Sequence, residues 1–176
     1  MNAFLVKWWQ RSWLAILSDH GVLPPRGQMG VLLAGDLYAD PDADQLGVSG
    51  DVWPVWSAFW KRFRWVCGVA GNHDRFGAHV SPAASSLAEG MHFIDSGQVD
   101  LDGLRVGGVG GIIGKAGRPQ RHTEVAQRGR HVRALSPTPQ VLIMHEGPDV
   151  PVEGLRGREL VREMVDGVGT LVVSGH

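Results

Sequence analysis

WVCGVAGNHD, residues 65–74, is an apolar run that halts at Gly71 and then delivers Asn72, His73 and Asp74 in immediate succession. A short run rich in β-branched and aromatic residues and bounded by glycine reads as a buried strand. The same pattern recurs on both sides of it. VLLA at 31–34 runs into Gly35-Asp36, VLIM at 141–144 into His145-Glu146, WLAIL at 13–17 into Ser18-Asp19-His20, and TLVV at 170–173 into Ser174-Gly175-His176. In open α/β sheets ligands collect in the crevice outside the carboxyl ends of the strands. Five strand ends are therefore expected to converge on one pocket, bringing Asp19, Asp36, Asn72, His145 and His176 with His20, His73 and Asp74 beside them. These are oxygen and imidazole donors of the kind that hold divalent ions.

Between the 31–34 and 65–70 runs, residues 38–51 carry Asp40, Asp42, Asp44 and Asp51 among Gly and Pro and read as a solvated loop. From 52 to 63 the spacing of Trp53, Trp56, Phe59, Trp60 and Phe63 is helical, with Lys61 and Arg62 suited to the C-terminal end. That predicts a helix laying an aromatic face on a sheet. Past the GNHD turn, residues 98–101 and 105–109 flank Asp102-Gly103, a hairpin signal that predicts an antiparallel pair. Gly107, Gly108, Gly110, Gly111 and Gly114 lack both the GK[ST] ending and the dinucleotide spacing of phosphate-cradling loops. They read instead as a strand edge where backbone approaches closely. Residues 121–135 read as a basic surface helix, and 157–165 as another that leads into the last strand.

A chain of 176 residues that is 43% hydrophobic suits one domain spanning 1–176 with a sizeable core. Seventeen basic and 18 acidic residues leave no polyelectrolyte signature, so charge does not indicate a nucleic-acid partner. Lys115, Arg118, Arg121, Arg128 and Arg130 read as a solvated face. Cys67 is the only cysteine and lies inside an apolar run, which excludes an intramolecular disulfide and suits a small buried hydrophobe in a reducing compartment. The opening MNAFLVKWWQRSWLAIL is interrupted by Lys7 and Arg11 and no small-residue cleavage site follows, so no signal peptide is expected. No stretch reaches the roughly 20 apolar residues of a membrane span. A soluble, cytoplasmic protein with no membrane partner is expected.

The ordered series Asp, Gly-Asp, Gly-Asn-His-Asp, His and Gly-His, each after an apolar strand, resembles the calcineurin-like metallophosphoesterase superfamily from Ser18 to the last residue. The Gly71-Asn72-His73-Asp74 match is its sharpest part. The resemblance implies an α/β fold, a sandwich of two mixed β-sheets flanked by helices, and a centre of two divalent ions. Mixed N/O donors favour Mn, Fe, Co, Ni or Zn over Mg or Ca without choosing among them; Mn²⁺ is the expected ion, with Fe, Zn, Co and Ni as alternatives. By the same resemblance Asp19 opens the first metal site and Asp36 bridges both metals. Asn72, His145 and His176 then hold the second metal. His73 stabilises the phosphoryl oxygen or protonates the leaving group, oriented by Asp74. Arg75, directly after the turn, is the candidate clamp on a substrate phosphate. The implied reaction is hydrolysis of a phosphomonoester or phosphodiester by a metal-bound hydroxide.

The chain departs from the family pattern twice. His20 follows Asp19 directly, where the family places one residue between them, and extended neighbours point to opposite faces. Either Asp19 ligates and His20 points away, or His20 ligates while Ser18 takes the family's Asp position. An ionised carboxylate being the better ligand, Asp19 is preferred. The family's last motif also continues to a second His, whereas this sequence stops at His176. A chain truncated after His176, with an intact second metal site and a weakened first one, is therefore expected. If the product ends there, the unfinished sheet would expose an edge for self-association or a partner. The alternative reading is an impaired member of the fold acting as a binding or scaffold module.

Overall fold

The computed structural model describes residues 21–37, 49–82, 87–154 and 156–175. The expected strand at 13–17, the candidate ligands Asp19, His20 and His176, and residues 38–48 of the loop expected over 38–51 lie outside the described residues; the end of that loop, Gly50–Asp51, is a short strand held by pairing with Asp74–Arg75.

The apolar runs of the sequence become strands β1 (Gly30–Leu33), β3 (Trp65–Gly68), β10 (Val141–Met144) and β11 (Leu171–Ser174). β1 and β3 run parallel with Val31 opposite Val66, and β3 runs parallel to β5 (Met91–Phe93), giving a three-stranded sheet ordered β1-β3-β5. A four-stranded sheet is ordered β11-β10-β7-β6, with β6 (Ser96–Leu101) and β7 (Leu104–Val109). In it β11, β10 and β7 are parallel, and β6 and β7 form the hairpin closed at Asp102-Gly103. Two further pairs are short: β2 (Gly50–Asp51) with β4 (Asp74–Arg75), and β8 (Ile112–Ile113) with β9 (Arg121–His122). Three α-helices complete the described residues: α1 (Trp53–Trp60), α2 (Glu124–Leu135) and α3 (Glu159–Val165). The fold is mixed α/β with open sheets.

Strand alternation decides how these pieces stack. Leu32, Ala34, Cys67 and Val69, from one face of the three-stranded sheet, share an apolar cluster with Val106, Val141, Ile143 and Val173 of the four-stranded sheet. The opposite faces take helices. Val31, Leu33 and Val66 pack with Trp53 and Trp56 of α1, while Leu142, Met144 and Val172 pack with Ala134 of α2 and Val161 of α3. The order is helix, sheet, sheet, helix. Fully burying an aliphatic side chain of this kind contributes about 1.5–3 kcal/mol, and Val66, Leu142 and Ile143 are each 0% exposed.

Three elements differ from the sequence reading. The helix expected over 52–63 closes at Trp60, after which Lys61 caps it by donating its amide to the Ser57 and Phe59 carbonyls. The basic helix expected over 121–135 starts only at Glu124, because the Thr123 side chain accepts the Ala126 amide while Arg121 and His122 pair with β8. That helix is also not a surface helix throughout: Gln127, Arg130, His131 and Ala134 are buried, and Arg130 grips Asp95 with Nη2 on Oδ1 at 2.8 Å and Nη1 on Oδ2 at 3.1 Å. The glycine-rich run approaches other backbone closely as expected, but two of its glycines, Gly107 and Gly108, do so inside the sheet, in β7 between β10 and β6. A Cβ on Gly107 would sit 2.5 Å from the Ala134 carbonyl oxygen of α2. Cys67 is buried, and burial pushes its thiol up to about 12. Among the described residues no helix is long and apolar enough to cross a membrane.

Candidate metal centre

β1 leaves its sheet through two consecutive residues of positive φ, Gly35 at 86° and Asp36 at 49°. Asp tolerates the left-handed region better than most side chains, yet such a conformation costs of order 1–3 kcal/mol and persists only where its surroundings hold it. They do so here through glycine and through a carboxylate. A Cβ on Gly71 would overlap the Asp36 amide and Oδ1, and one on Gly35 would overlap the Gly71 amide, so the two turns pass at backbone distance. Asp74, 1% exposed, then pins them together by accepting from the amides of Gly71 at 2.8 Å, Asp36 at 2.9 Å and Leu37 at 2.9 Å. Burial raises the Asp74 carboxyl above its ordinary value; the Gly71 and Leu37 amides oppose this and the charge of Asp36 adds to it.

The Asp36 side chain is held at one oxygen and offered at the other. Oδ1 accepts the His73 amide at 2.9 Å, and Oδ2 lies 3.3 Å from Nε2 of His145. His145 ends β10 with its side chain 0% exposed, and its Nδ1 stands 2.9 Å from the Ala34 carbonyl oxygen at the end of β1. A carbonyl only accepts, so Nδ1 carries a hydrogen and the neutral ring presents the Nε2 lone pair. That lone pair faces Asp36 Oδ2 and, also at 3.3 Å, Asn72 Oδ1. Three electron-donating atoms from three strand ends thus point into one space. Burial works against charge on both members of the His145–Asp36 pair. When the ring is protonated, Nε2 instead donates to Asp36 Oδ2, and that hydrogen bond and the attraction outweigh burial, raising His145 and, with the His73 amide, lowering Asp36.

This donor set fits a divalent cation. Imidazole nitrogen, carboxylate oxygen and amide oxygen are its ordinary ligands, and an Nδ1–H on a backbone carbonyl is the outer contact that fixes a ligating histidine. The third donor is an amide: no three His, Cys, Asp or Glu side chains are grouped for a metal among the described residues. Asp36, Asn72 and His145 are the expected ligands brought together. Gly175 reaches the same spot, passing against the Ala34 carbonyl and donating its amide to the His145 carbonyl at 3.3 Å. His176 comes next in the chain.

The remaining candidates stand around this cluster. His73 joins it through its amide, and its Nδ1 is buried without a hydrogen-bond partner among the described residues. The Asp74 carboxylate, which the family resemblance casts as the orienter of His73, lies on the three amides described above. Arg75 sits in β4, and its carbonyl accepts the Val52 amide. Two supporting groups escaped sequence reasoning. The Ala34 carbonyl has no side-chain signature at all, and the partner of buried Glu146, Arg158, lies 12 residues further on. Compared with known proteins, the chain matches no family model and no curated protein.

Proposed function

We propose that this chain is a metal-dependent phosphoesterase of the calcineurin-like type, hydrolysing a phosphomonoester or phosphodiester in the cytoplasm. One observation carries the reading: the Nε2 lone pair of His145, its tautomer set by the Ala34 carbonyl, faces the oxygens of Asp36 and Asn72 where two stacked sheets meet. The helix–sheet–sheet–helix layering supports the corresponding sandwich.

Divalent ions, Mn²⁺ by preference, would be held by Asp36, Asn72 and His145 with His176, and by Asp36 with Asp19 and, if the turn after the strand allows it, His20. The chemistry such ions supply is activation of water and neutralisation of phosphoryl charge. The chain's residues do the rest. Asp74 keeps Asp36 in its strained conformation, so the carboxylate is set before substrate arrives. His73, next to Asn72 and with Nδ1 buried, presents Nε2 to donate a hydrogen to a phosphoryl or leaving-group oxygen. Arg75 is the candidate clamp on the phosphate.

Hydrolysis of a chromogenic phosphodiester and phosphomonoester with added Mn²⁺ tests the proposal. His73→Ala should lower kcat about 10²–10⁴-fold, and Asp36→Ala should abolish turnover. An unaltered, folded chain that binds Mn²⁺ and hydrolyses neither ester would shift the reading to a binding module built on the same fold.

A further inference from the structure

Glu146 follows His145 directly and is 4% exposed. Both its oxygens are used: Oε2 accepts the Ile113 amide at 2.8 Å and Oε1 accepts Arg158 Nε at 2.7 Å. Arg158 closes the ring by donating Nη2 to the Ile113 carbonyl at 3.3 Å and its amide to the Gly147 carbonyl at 3.0 Å. A guanidinium has five N–H bonds in a fixed fork. Held through Nε and one hydrogen of Nη2, Arg158 keeps the others unspent on a side chain that stays 50% exposed.

The cleft beside it is walled by Ile112, Glu146, Arg156, Gly157 and Arg158. It is tied to the metal centre along the chain and through one backbone hydrogen bond. Glu146 is bonded to His145, and Gly111, one residue before Ile112, donates its amide at 2.9 Å to the carbonyl of Ala70, two residues before Asn72. The charge there is uncompensated. Glu146 neutralises Arg158, but Arg156 is exposed and makes no ion pair among the described residues. An arginine fork braced by a buried carboxylate, with a second cation beside it, matches the geometry and charge of a tetrahedral oxyanion.

We infer that this cleft is a second anion site beside the metal centre, and that the substrate is an ester carrying another phosphate besides the one hydrolysed. The substrate half of the inference rests on the phosphoesterase reading; the binding half does not.

Calorimetry on the full chain with adenosine 3′,5′-bisphosphate and adenosine 5′-monophosphate tests it, in parallel with hydrolysis of bis(4-nitrophenyl) phosphate and 4-nitrophenyl phosphate in Mn²⁺. A charge-assisted contact of this kind should give the bisphosphate an advantage of about tenfold. Arg156→Ala, a change at an exposed side chain, should remove most of that advantage. Arg158→Lys keeps a cation for Glu146 but loses the fork and should do the same, while Arg105→Ala, at the opposite end of β7, should leave it intact. Equal affinity for the two nucleotides, or an advantage that survives both Arg156→Ala and Arg158→Lys, overturns the site. Hydrolysis without the advantage removes the anion site and spares the phosphoesterase reading. The advantage without hydrolysis upholds the site and removes that reading.

Discussion

At the scale of single residues, Asp74 concentrates the most consequence in the fewest atoms. Its two oxygens accept three amides from two different turns, one of them the amide of the left-handed Asp36. Asparagine at this position would turn an NH₂ against one of those amides, so Asp74→Asn should cost about 1–3 kcal/mol, read as a lower urea midpoint in metal-free buffer. His131 gives a prediction of a different kind. Burial first, and the Arg130 charge, hold its imidazole below the ordinary histidine value, against the Gln127 carbonyl and Glu146, which pull it up. The folded chain then binds fewer protons than the unfolded one in the window below about 6.5, so stability falls as pH drops through that window and is unaffected above it. His92 and His122 are lowered by burial too and add to the same slope. His131→Gln should flatten it in denaturation curves taken from about pH 7.5 down to 5.5; an unchanged slope would assign the acid sensitivity to other groups.

Elements show where local pattern suffices and where it stops. The apolar runs at 31–34, 65–70, 141–144 and 170–173 became strands within a residue or two of their expected ends, because period and bounding glycines are local properties. The hairpin at Asp102-Gly103 was legible for the same reason, both residues having the positive φ that such a turn requires. Helix α2 was misread because Arg130 looks like surface charge in sequence, and Asp95, which draws it inward, lies 35 residues away. The candidate site divides likewise. Asp36, Asn72 and His145 announce themselves at strand ends, whereas the carbonyl that orients His145 belongs to an alanine 111 residues earlier. Gly107 and Gly97 make the packing argument testable. Gly107→Ala drives a Cβ against the Ala134 carbonyl and should destabilise by about 1–3 kcal/mol, while Gly97 in β6 has nothing within 4 Å and Gly97→Ala should be close to neutral. Thermal unfolding of the two variants side by side decides it.

For the molecule as a whole, the proposed metal centre lies where the two larger sheets meet, so ion binding there would be linked to folding. An ion that binds the folded chain alone adds RT ln(1 + [L]/Kd), about 2.7 kcal/mol at a hundred times Kd. Manganese titration should therefore raise the unfolding temperature and chelation should return it, with one tight and one weaker binding step by calorimetry. Two equally tight steps would contradict a weakened first site. The Ala34 carbonyl gives this linkage a direction. It takes the His145 ring, just past β10 of one sheet, lies against Gly175, just past that sheet's outer strand β11, and itself directly follows β1 of the other sheet. Widening the gap between the sheets would break that contact and free the ring to turn, so the imidazole would act as a latch and the proposed ligand set would be spoiled with it. Such a protein would sense strain across its own seam as a fall in metal affinity, well before its strands come apart.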